Sequence, residues 1–90
     1  MKQFKTIIFK LRKALEQKRH LFSASEPDAK REELLNQAVL HIDNLEKQIP
    51  AEKFFETTHP NTVKTILKNY KLAEEVVMDE INAIQESYAS

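Results

Sequence analysis

From Asn61 to Tyr88 the chain runs 28 residues without a Gly or a Pro, enough for roughly 42 Å of uninterrupted α-helix. Along it Val63, Leu67, Tyr70, Val77, Ile81, Ile84 and Tyr88 recur at steps of four and three, with one full step of seven between Tyr70 and Val77. That spacing puts them on one side of a helix packed lengthwise against other helices. Ile66 and Ala73 widen the seam to the stripe of a globular bundle, broader than that of a bare two-stranded coil. Glu74 stands at the skipped step. Burying an unpaired carboxylate costs several kcal/mol, so Glu74 must be paired, protonated or left near a wet end.

Upstream, the same spacing rule predicts a first helix over 2–22. Phe4, Ile7, Ile8, Leu11, Ala14, Leu15 and Phe22 share one side at 100° per residue, with Lys18 filling the step between Leu15 and Phe22. Phe9 projects from the opposite side, amid Lys2, Lys5, Lys13 and His20. Ser23-Ala24-Ser25-Glu26-Pro27-Asp28 is a stop and a restart: Ser25 is the expected cap of a second helix over 26–49, with Pro27 in its first turn and Asp28 completing a capping box. That helix would bury Leu34, Leu35, Ala38, Val39, Ile42, Leu45 and Ile49, with Arg31 on the same face. Pro50 ends it. Residues 51–57 are expected to form a short helix or lid presenting Phe54 and Phe55, before the breaker Thr57-Thr58-His59-Pro60 and the helix over 61–88.

Connections of about four and about ten residues favour antiparallel neighbours. The expected fold is therefore all-α, one domain over 1–90, an antiparallel up-down-up three-helix bundle with a short fourth helix or a lid at about 51–57. Counted upward from Phe4, Val63 and the lower end of the second helix, Lys18, Arg31 and Glu74 fall near one height. The expectation is a polar layer in which Lys18, Arg31 or both bond Glu74. Such layers more often fix register than perform chemistry.

Composition narrows the function. With no Gly and no Cys in 90 residues, the chain lacks the usual means for phosphate-cradling loops, nucleophile elbows, disulfide frameworks and thiolate metal sites. His20, His41 and His59 lie on three separate segments and do not converge on one metal. Glu16 and His20 form a lone pair one turn apart, more often a surface contact than a site. The all-helical chorismate mutases have about this length, but they require one uninterrupted first helix, which Ser23 to Pro27 breaks here. No catalytic residue, cofactor or metal is expected. No apolar run approaches the roughly 18 residues of a membrane span. No secretory signal is read at the start, and a cytoplasmic address is expected, with export by a dedicated secretion system left open.

Charge sums to zero but is uneven. Residues 1–20 carry seven bases against Glu16 alone, whereas residues 72–90 carry Glu74, Glu75, Asp79, Glu80 and Glu86 and no base. Lys2, Lys5, Arg12 and Lys13, with Phe9 among them, form a basic face that could meet nucleic acid or an anionic surface. A sequence pI near 6.8 weighs against that reading. Phe9, Leu40, Leu72 and Val76 point away from the seams, and Thr65, Asn69 and Ala83 extend the line of Leu72 and Val76 along the back of the last helix. Such a line can receive another helix; alternatively, Phe54 and Phe55 cover part of it.

The expected function is a non-catalytic protein-protein interaction module, self-association included, with Phe9, Leu40, Leu72 and Val76 as contact residues. Nucleic-acid or anionic-surface binding through the first helix is the alternative. The acidic C-terminal cluster loosely resembles the tails that mark some bacterial effectors for export. The helical, cysteine-free composition loosely resembles small bacteriocin-immunity bundles. These resemblances imply a further alternative, a small bacterial immunity-type or exported effector-type helical protein.

Overall fold

The computed structural model describes residues 2–23 and 28–89, the last five of these by backbone alone. Four helices make up an all-α bundle: α1 (Lys2–Phe22), α2 (Ala29–Lys47), α3 (Glu52–Thr57) and α4 (Pro60–Ala89). Its extents are 51 × 19 × 16 Å, and a helix as long as α4 accounts for most of the longest one.

The core draws on three stripes. Phe4, Ile7, Ile8, Leu11 and Leu15 from α1 meet Leu35, Ala38 and Ile42 from α2 and Tyr70, Val77, Ile81 and Ile84 from α4. Val63 and Leu67, nearer the start of α4, are only half-buried. The Arg12 guanidinium reaches Asp43 and Glu46, while Arg19 meets Asn36, so rising numbers in α1 face falling numbers in α2. Tyr70 bonds Leu45 and Glu80 bonds His41, so the same holds between α4 and α2.

The helix ends are made without glycine, and no described residue has a positive φ. Helix α2 starts three residues later than its sequence signals suggest. Asp28 is the cap itself rather than the far member of a capping box: its Oδ1 accepts from the backbone N–H of Lys30 at 2.9 Å and of Arg31 at 3.1 Å. Aspartate is as good an N-cap as serine, and the next residue, Ala29, is a strong helix former. Ser25, Pro27 and the Tyr88 and Glu86 side chains lie outside the described residues.

At its far end α2 tightens. The N–H of Gln48 bonds the carbonyls of Asn44 and Leu45, and that of Ile49 bonds Glu46, all at 3.2 Å. These short-range bonds satisfy terminal carbonyls where a left-handed glycine would otherwise do so. Pro60 opens α4, where its missing N–H is no loss. The first free donor, the N–H of Asn61, is taken by Nδ1 of His59 at 3.1 Å.

Candidate interaction site

Helix α3 settles which apolar residues stay open. It is too short to bury a face of its own, and none of its residues is fully buried. Phe55 instead packs on Phe4, with ring centroids 5.2 Å apart, and Phe54 packs edge-on against Phe55. The short helix is thus committed to the Phe4 end of α1. Leu72 and Val76 remain 53% and 67% exposed, so the alternative in which Phe54 and Phe55 cover them does not hold.

Beside Val76 runs an open groove of about 390 Å³ between α2 and α4. Leu45, Ala73 and Val77 form its apolar lining, with His41, Asn44 and Glu80 also along it. Nδ1 of His41 lies 2.7 Å from Oε2 of Glu80 and bridges the two helices. Val76 follows Leu72 by one helical turn, so the two present a continuous apolar edge. Leu40 is also exposed but belongs to the outer face of α2, and Leu21 on α1 is a further exposed apolar residue that the sequence reading did not single out. Its signal was its place between the last core positions, Lys18 and Phe22, off the stripe.

The back of α1 forms a second surface. Phe9 is 65% exposed and lines an open groove of about 620 Å³ with Lys2, Lys5, Ile8, Ile49 and Pro50. Arg12 does not belong to a free basic face. Its Nη2 bonds Asp43 and Glu46, each at 2.8 Å, and the bond to Asp43 holds the guanidinium charged still more firmly than usual. Only Lys2, Lys5 and Lys13 of the four expected cations are exposed with no ion pair among the described residues.

The expected polar layer does not form. Lys18 and Arg31 are buried, but neither bonds Glu74, whose Oε2 is buried without a hydrogen-bond partner among the described residues. Arg31 stacks its guanidinium over the ring of Phe22, 4.4 Å from the centroid. The reason is register. Phe4 is level with Tyr70, 4.9 Å between ring centroids, and not with Val63. Lys18 therefore stands about 21 Å above that level and Glu74 only about 6 Å above it.

Nothing in the described geometry gathers chemistry. Glu56 and His59 have the Glu-x-x-His spacing of some metal sites, but α3 ends at Thr57 and Thr58 is extended, with φ −104° and ψ 142°, so the two do not share a helix face. Among the described residues no group of three His, Cys, Asp or Glu could hold a metal ion. None of the described helices is long and apolar enough to cross a membrane.

Comparison with protein-family models, curated proteins and solved structures finds no match to this chain.

Proposed function

We propose that this chain is a non-catalytic protein-interaction module that receives a partner helix along Leu72 and Val76 and the adjoining α2–α4 groove, in the cytoplasm. One observation carries the reading: two apolar side chains a turn apart stay more than half exposed beside an apolar groove, while α3, the one alternative cover for them, is held against Phe4. Fully burying an exposed Leu or Val is worth about 1.5–3 kcal/mol, and a helix laid in the groove would gain the part of this that belongs to the still exposed half or more of each side chain. Leu40 and Phe9 are further contact points on other faces.

A photo-crosslinking amino acid placed at position 76 in living cells tests the reading. Discrete protein adducts that Leu72→Glu removes are the expected result. No adduct above that of an exposed polar control away from this edge, such as position 32 on α2, would end it.

A second reading draws on Lys2, Lys5 and Lys13 around Phe9. This face could dock on nucleic acid or an anionic surface. Salt-sensitive retention on DNA that Lys5→Glu and Lys13→Glu together abolish would favour it.

A further inference from the structure

We infer that the partner is a second copy of this chain, docked head to tail: the basic, aromatic back of α1 in one copy lies on the acidic, apolar edge of α4 in the next. This rests on the interaction reading above and names its occupant.

Two faces of the same molecule complement each other. On α1, Lys5 and Lys13 stand one turn before and one turn after the exposed ring of Phe9. On α4, Glu75 and Asp79 form an i, i+4 pair of acids running beside Leu72 and Val76. Lys68, a turn before Leu72, and Lys71 are the last bases, and beyond residue 71 there is none. An aromatic between two cations would thus meet two aliphatic side chains beside two acids.

Neither charge set is satisfied among the described residues. Lys5, Lys13, Glu75 and Asp79 make no ion pair among the described residues. Lys2 and Lys5 moreover open α1, whose first turn holds no acid, the reverse of what the helix macrodipole favours. Apolar groups left exposed inside rims of opposite charge, on two faces of one chain, fit an intermolecular contact whose charges set orientation and exclude like-on-like pairing. Because the two faces differ, the contact is heterologous. The end copies of any open assembly keep one free face each, so growth continues beyond a dimer unless the ring closes.

Sedimentation equilibrium on the full chain and on two surface variants, Phe9→Glu and Val76→Glu, tests this, with circular dichroism confirming that both fold. Wild type should rise with concentration from 10.5 kDa to more than twice that mass, and high salt should reverse the rise. Each variant alone should stay monomeric. An equimolar mixture should stop at a 1:1 pair, because one intact α1 face then meets one intact α4 face. A wild type that stays monomeric at millimolar concentration overturns the inference, as does a mixture that remains monomeric. Self-association that survives Phe9→Glu but not Val76→Glu means a symmetric α4 contact, which overturns the head-to-tail arrangement. A monomeric wild type that crosslinks from position 76 to a different protein rejects the second copy while leaving the interaction reading intact.

Discussion

The ring of Phe4 stands edge-on to the ring of Tyr70, 4.9 Å between centroids and 82° between planes, and this pair sets the height of α1 against α4. Phe55 closes on the other side of Phe4 at 5.2 Å, so three aromatic rings bring three helices together. Edge and tilted contacts of this kind are worth about 0.5–1.5 kcal/mol beyond the area they bury.

Phe55 is the main anchor of α3. Phe55→Ala should cost about 1–3 kcal/mol, below the range of about 3–5 kcal/mol for a fully buried Phe. It should also release α3 before the bundle melts. Trypsin cleavage at Lys53 under native conditions should accelerate more than global stability falls. A cleavage rate that changes only in proportion to global stability would show that α3 opens only with the whole fold.

The Tyr70 hydroxyl donates to the carbonyl oxygen of Leu45 at 3.0 Å, near the α2 terminus where helical donors run out. Tyr70→Phe should cost about 0.5–1.5 kcal/mol in urea unfolding. Burial pushes the Tyr70 hydroxyl above its ordinary value. The folded chain then holds this proton to higher pH than the unfolded chain, so the contribution is whole below about pH 10 and declines as pH rises through the folded value. The stability gap between wild type and Tyr70→Phe should therefore narrow above about pH 10. A gap that widened there would contradict the burial argument.

Glu74 is buried at Oε2 with no bond to Lys18 or Arg31. Glu74→Leu should raise stability by about 1–3 kcal/mol, because an unsatisfied buried oxygen is replaced by a side chain that packs against the apolar stripe. Double-mutant cycles of Glu74 with Lys18 or Arg31 should return no coupling beyond about 0.5 kcal/mol. Strong coupling would restore the polar layer expected from residue counting.

Asp28 satisfies two backbone donors at the start of α2. Asp28→Ala should cost about 0.5–2 kcal/mol and Asp28→Asn much less, since the amide oxygen can still accept. Hydrogen exchange at Lys30 and Arg31 should speed up in the alanine variant. Unchanged exchange there would argue against the cap.

The sequence by itself determined the helical class, the four helical segments and the angular position of nearly every side chain. At 100° per residue, position around an axis is a local property, so Leu11, Ile42 and Ile81 read as core and Phe9, Leu40, Leu72 and Val76 as outward-facing without reference to anything distant. The restart of α2 was less legible, because Ser25 and Asp28 carry competing cap chemistries a few residues apart. Only the tertiary structure decided height along the axes. Sliding one helix past another leaves each stripe facing inward, so the periodicity does not distinguish Phe4 beside Val63 from Phe4 beside Tyr70; the packing of Phe55 and Tyr70 on Phe4 does. That choice left Glu74 well below Lys18, turned Arg12 inward to Asp43 and Glu46, and kept α3 away from Leu72 and Val76.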